Sequence, residues 1–217
     1  MIRISIRGIV MEIHFSFILL TAVLAAAGNG NFVLAILFFS ILHEYAHGKT
    51  AQILGYSPEK ITANFFGGVL HLQSIDIKPF HEMIIHLSGP ALNLFIGTAL
   101  FIVSGYWNNP CIEAAIFANL ILGVFNMIPF YPLDGGKIVT LYLANFIGWG
   151  RAYWLSKNIS IIFYVFLFFL GIYLVQYNPI NLLICLISIN LMVTVVSDYE
   201  FMLYKLSLKE LRRINEK

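Results

Sequence analysis

The apolar positions of this chain come in long runs rather than in alternation. Six runs, near 13–28, 32–54, 83–106, 112–130, 159–176 and 180–197, predict helical spans, since about 18–20 apolar residues suffice to cross the bilayer core as a helix. Two further apolar stretches are too short to cross. ITANFFGGVLHLQ, 61–73, mixes β-formers with Gly67-Gly68 and predicts a re-entrant, β-hairpin-like loop. IVTLYLANFIGW, 138–149, predicts an interfacial or partly inserted helix. The pattern therefore predicts an all-α polytopic membrane protein: about six transmembrane helices forming a single membrane-embedded domain over 1–217. Arg3 and Arg7 ahead of an apolar run, with Ala25-Ala26-Ala27 behind it, mimic a secretory signal. A retained first span is the better reading, because another apolar segment follows at once and Glu12 and His14 fit a signal core badly.

Composition strengthens this picture. Hydrophobic residues make up 59% of the chain and charged residues only 11%, against about 25% charged in an ordinary soluble domain. A formal net charge of +2 offers no footprint for nucleic acid. Cys111 and Cys185 are far apart and share no CxxC, so neither a disulfide framework nor a cysteine metal site is indicated. With six spans, the connections near 28–31, 107–111 and 177–179 share one side and carry no Lys or Arg. All 13 basic residues then fall in or near the other side, which the positive-inside rule makes cytoplasmic, with both termini there. Trp107, Trp149 and Trp154 fall near span ends, as interfacial aromatics do. The basic tail YKLSLKELRRINEK reads as a solvated cytosolic anchor.

The second run breaks the apolar rule. FFSILHEYAHGKTAQIL, 38–54, places His43, Glu44, His47 and Lys49 inside a span. A charged residue at mid-bilayer costs about 2.5–3.5 kcal/mol on insertion scales and is functional by default. On a helix, positions four apart lie only about 40° from each other, one turn apart. His43 and His47 can therefore share one Zn²⁺, with Glu44 reaching the site from the flank as general base. Two core histidines bonded to carbonyls are the plain alternative, but that reading leaves Glu44 without a stated role. Lys49 reads as a snorkelling lysine near the cytosolic end of the span. HEMIIH, 81–86, looks similar, but its histidines are five apart, about 140° around a helix, and cannot share a metal from one face.

A catalytic zinc asks for three protein ligands and an open position. Asp134 is the candidate third ligand, in NMIPFYPLDGGK, 126–137, where Pro129 and Pro132 break the helix and Gly135-Gly136 allow a sharp turn. Irregular backbone at membrane depth is tolerated where protein or a watery cavity surrounds it. An aspartate capping a helix at 138 explains the same stretch equally well.

Together these residues resemble the site-2 protease family of intramembrane zinc metalloproteases. The resemblance rests on His43-Glu44-Tyr45-Ala46-His47, Phe66-Gly67-Gly68, Ser88-Gly89-Pro90-Ala91-Leu92-Asn93 and Asn126…Pro129…Pro132-Leu133-Asp134-Gly135, which follow the family's order over about 30–140. The six-span layout is most similar to its stage IV sporulation branch. The resemblance implies zinc ligands His43, His47 and Asp134, one Zn²⁺ per chain, and a catalytic Glu44. It implies hydrolysis in or near the membrane segment of a membrane-tethered protein, for the sporulation branch a sigma-factor precursor. It further implies a bacterial cell membrane location (the forespore-surrounding membrane in that branch) and a membrane-protein inhibitor or regulator. Neither a PDZ nor a CBS domain is expected within 1–217. Asn126 and the Phe66, Gly67, Gly68 segment are candidate substrate-binding residues, the hairpin pairing with an unwound substrate strand. Competing readings are a membrane metallopeptidase acting on soluble or unfolded chains, and a non-enzymatic metal transporter or membrane chaperone. Glu44 argues against a silent site, and the nearly bare spans one, five and six argue against transport.

Overall fold

Six helices and four strands make up the described residues of the computed structural model, which are 2–6, 9–13, 30–64, 67–72, 77–105, 109–178 and 181–215. All but one residue of the first expected span, 13–28, lies outside them, as do His14 and Phe66. The chain divides between Ile128 and Pro129 into two compact units.

The first unit holds a four-stranded sheet and three helices. The strands are β1 (Ile2–Ile6), β2 (Ile9–Ile13), β3 (Pro58–Asn64) and β4 (Gly67–Leu72), in that order across the sheet. β1 and β2 pair antiparallel, β2 and β3 parallel, and β3 and β4 antiparallel with Lys60 opposite His71. Beside the helices expected from the apolar runs there is thus a sheet. Its N-terminal half, 2–13, is not expected from the hydrophobic runs, although Ile2, Ile4 and Ile6 alternate with Arg3 and Ser5 as strand residues do. Helix α1 (Gly30–Ile53) follows the second apolar run closely. It ends in a Schellman closure: Tyr56 N–H donates to the Ala51 carbonyl at 2.9 Å and Gly55 N–H to the Gln52 carbonyl at 3.0 Å. Gly55 takes φ 87° there, which a glycine adopts without steric cost. This stop turns the chain directly into β3, and β3 and β4 lie against α1.

Helix α2 (Pro79–Ser104) starts with proline at its first turn, where the missing N–H costs nothing. Ile85, Gly89, Asn93 and Gly97 are buried along it at four-residue spacing, so one face of this apolar helix looks inward. Helix α3 (Pro110–Asn126) is capped by Asn109, whose side chain accepts from Cys111 N–H at 2.8 Å. The two helices interlock through small residues. A Cβ on Gly97 would meet the Leu120 side chain, and one on Gly123 would meet that of Leu94. Such glycines let apolar helices approach closely where lipid offers no hydrophobic drive.

The second unit holds α4 (Asp134–Ile147), α5 (Trp149–Val175) and α6 (Leu182–Asn215). Gly148, at φ 81° and ψ 156°, separates α4 from α5. α5 therefore begins at Trp149, ten residues ahead of the expected start at 159. Arg151 and Lys157 ride on the helix rather than in a loop. α5 and α6 approach at Gly171, where a Cβ would lie 2.7 Å from Cys185 Sγ. The tail expected as a solvated end continues α6 as helix to Asn215. Among the described residues, α2 and α5 are long and apolar enough to cross a membrane, while α3 and the Leu182–Asp198 part of α6 are shorter apolar helices.

Candidate metal centre

His43, Glu44 and His47 stand on one turn of α1, with one donor atom of each within 4.8 Å of the others. Both imidazoles are buried, at 4% exposure, whereas Glu44 is half-buried. The ring centroids are 4.7 Å apart and nearly perpendicular. This is the geometry that four-residue spacing imposes on a helix.

What aims the rings is helix α2. His47 Nδ1 lies 2.6 Å from the Ile85 carbonyl oxygen. A carbonyl only accepts, so Nδ1 carries the proton and the lone pair resides on Nε2. Ser88 Oγ donates to the same carbonyl at 2.7 Å and sits 3.4 Å from His47 Nδ1. His43 Nδ1 lies 2.6 Å from Asn93 Oδ1. Both Nε2 atoms face Gly89: a Cβ placed there would sit 2.5 Å from His47 Nε2 and 2.7 Å from His43 Nε2. The absent side chain leaves a recess where the two imidazole nitrogens converge. Two such nitrogens beside a carboxylate form a donor set that suits zinc.

The other expected residues fall as follows. Asp134 is buried, at 6% exposure, and is the first residue of α4. The helix thus starts four residues earlier than the expected 138, and Gly135 and Gly136 lie within its first turn instead of forming a sharp bend after the carboxylate. The reason is close packing. A Cβ on Gly136 would run into the backbone of Phe130 and Tyr131, so the turn can seat on the preceding loop only with glycine there. That loop contains a cis Tyr131-Pro132 bond. It is held by Phe130 stacked on Phe163 at 3.9 Å, and by Tyr131 Oη donating to Asp198 Oδ2 at 3.4 Å. Gly136→Ala is expected to unseat this turn and lower stability by about 1–3 kcal/mol, outweighing the roughly 1 kcal/mol by which Ala favours a helix. Thermal denaturation of the detergent-purified chain measures it.

Asn126 closes α3 and donates through Nδ2 to the Leu122 carbonyl at 2.9 Å. Gly67 and Gly68 open β4, opposite Asn64 and Ala63. His81 and His86 have different neighbours: His81 Nδ1 is 3.0 Å from Tyr56 Oη, while the His86 ring lies 6.0 Å from that of His47. Sequence reasoning missed Ile85 and Asn119, the latter a buried amide bonded to Asn93. A polar residue inside an apolar helix was the available signal for Asn119. For the Ile85 carbonyl there was none, because backbone acceptors look alike in sequence.

The chain is similar to several known proteins. The model of peptidase family M50 matches residues 105–173. A zinc metalloprotease of Methanocaldococcus jannaschii is 34% identical over 72% of this chain and 49% of its own length. The solved site-2 protease from Methanocaldococcus jannaschii superposes with a TM-score of 0.74 at 27% identity, covering 91% of this chain and 94% of that one. The chain is thus similar to peptidase family M50 over 105–173 and to the solved site-2 protease over most of its length. The chain is also similar to stage IV sporulation protein FB of Bacillus subtilis, 22% identical over 88% of this chain and 67% of that protein. The chain spans about half the length of the first of these curated relatives, 49%. The His43, Glu44 and His47 group, which could hold a metal ion, lies on α1 outside the matched residues 105–173, and α2 is the helix that orients its imidazoles.

Proposed function

We propose that this chain is an intramembrane zinc metalloprotease that hydrolyses a peptide bond in or near the membrane segment of a membrane-tethered protein. The observation that carries the reading is the convergence of His43 Nε2 and His47 Nε2 on the Gly89 recess, beside Glu44, in a predominantly apolar helix. His43, His47 and Asp134 would hold the zinc. Bound there, zinc supplies Lewis acidity and brings a water pKa down to around 7. Glu44 takes the proton of the attacking water and returns it to the leaving amine. The hairpin edge at Gly67-Gly68, with Phe66 and Asn126, would hold the substrate strand extended by main-chain pairing. In this reading the chain crosses the membrane six times, 61–73 dips into it, and both termini are cytoplasmic. The positive-inside distribution of Lys and Arg supports that orientation.

The substrate class we favour is a sigma-factor precursor, in keeping with the likeness to the sporulation protein. In proteoliposomes carrying a tagged, membrane-tethered precursor of this kind, the native chain is expected to release a shorter cytosolic-side fragment, and a zinc chelator to abolish it. Cleavage of other tethered segments but not this one would remove the sporulation substrate and leave the chemistry standing. Cleavage confined to soluble unfolded chains would overturn the intramembrane reading. Asp134→Ala is expected to weaken zinc binding by more than the roughly 10–100-fold that outer partners contribute, measured by competition with a chromophoric chelator. Native affinity in this variant would mean that another residue is the third ligand.

A further inference from the structure

A chain of three hydrogen bonds runs from α3 through α2 to His43. Asn119 Nδ2 donates to the Ala115 carbonyl at 2.8 Å. Asn93 Nδ2 donates to Asn119 Oδ1 at 3.0 Å, and Asn93 Oδ1 faces His43 Nδ1 at 2.6 Å. Asn93 and Asn119 are 1% and 0% exposed, so water does not compete for either amide. Two buried amides inside apolar helices are costly unless satisfied, and here each finds its partners in the other and in the ends of the chain.

The direction of this chain follows from its far end. The Ala115 carbonyl can only accept, so the Asn119 amide must present nitrogen to it and oxygen to Asn93. Asn93 must then present nitrogen to Asn119 and oxygen to His43. An oxygen there requires a proton on His43 Nδ1, which puts the lone pair on Nε2, the atom that faces the Gly89 recess. On His47 a single backbone carbonyl does the same task directly. On His43 it is done by a carbonyl of a different helix, relayed through two side chains that each could turn either way on their own.

We propose that Asn119 is a positioning residue for the metal centre: through Asn93 it sets the His43 tautomer that a metal on Nε2 needs. The metal part of this statement rests on the proposed zinc role of His43. The tautomer part rests on the hydrogen bonds alone.

The test uses the full chain in detergent micelles with ¹⁵N-labelled histidine. In the zinc-free native chain, His43 is expected to show one tautomer, with Nδ1 protonated. In Asn119→Leu the Asn93 amide loses the acceptor that orients it, and His43 is expected to populate both tautomers. Zinc affinity, read with Zn²⁺ alone against a chelator, is expected to fall about 10–100-fold, the effect typical of outer partners of ligating histidines. Asn119→Asp is expected to restore both readouts. Burial keeps that carboxyl neutral, so its O–H donates to Ala115 and its carbonyl oxygen accepts from Asn93. If Asn119→Leu fails to fold, Asn119→Ala, which takes the same acceptor from Asn93 with a smaller apolar side chain, carries the test. The same tautomer mixing and affinity loss are expected there. A single Nδ1-protonated tautomer and native zinc affinity in the variant that folds would overturn the proposal. Should the native chain take up no zinc while the tautomer responds as described, the relay stands and the metal assignment of His43 falls.

Discussion

Glu44→Gln is expected to lower peptide cleavage by on the order of 10²–10⁴, the contribution of a positioned general base, with zinc content unchanged at one ion per chain. Glu44 shares a helical turn with His43 and His47, and its carboxylate lies within 4.8 Å of their ring nitrogens. It is also the more exposed of the three, half-buried where the histidines are buried, as a group that must meet water and substrate should be. Glutamine keeps the length, the volume and nearly the helix propensity of glutamate, and it can still accept a hydrogen bond. What it lacks is basicity. The variant therefore separates proton transfer from metal binding. Cleavage rates in proteoliposomes and zinc per chain by elemental analysis provide the two readouts. Cleavage at the native rate would remove Glu44 from the chemistry, and loss of zinc would make it a ligand instead.

Gly89→Ala is the second large effect expected, and it works in the opposite sense. Alanine is the better helix former by about 1 kcal/mol, so α2 should form at least as well. The new methyl would nevertheless lie 2.5 Å from His47 Nε2 and 2.7 Å from His43 Nε2. Neither ring can swing away cheaply. His47 is held at Nδ1 by the Ile85 carbonyl and His43 by Asn93, both at 2.6 Å. Zinc affinity is thus expected to drop at least about 100-fold, beyond the range for loss of a single outer partner, and the thermal midpoint of the zinc-free chain to fall as well, since overpacking costs about 1–3 kcal/mol against the roughly 1 kcal/mol of helix propensity. Chelator competition and thermal denaturation read the two quantities separately. Retained affinity would show that the Nε2 atoms do not meet their metal over Gly89.

The three features on which these variants act differ in how visible they were along the chain. The HExxH turn is local. Once 30–53 is helical, a spacing of four puts His43 above His47 whatever surrounds them, so their pairing could be read from periodicity alone. Gly89 and Asn93 are also four apart and share a face of α2, but which helix that face meets is a matter of packing. Asn119 lies 26 residues further on, and only the docking of α3 on α2 brings it to Asn93.

The same division runs through the fold. Apolar runs announced helices α1, α2 and α3 with small shifts at their ends, because continuous apolar length is a property of sequence. The start of α5 at Trp149 depended on a single glycine conformation at Gly148, and the start of α4 at Asp134 on the contact of Gly136 with the Phe130–Tyr131 backbone. Neither leaves a periodic trace. The parallel pairing of β2 with β3 joins Met11 to Ile61, fifty residues away, and no local pattern specifies such a partner. By itself, then, the sequence determined long apolar helices and, in one of them, a two-histidine, one-carboxylate turn, since helix period and apolar length are local constraints. The tertiary structure alone decided which way those imidazoles face, because ring orientation is set by acceptors on α2 and α3 that reach the site only when the helices pack.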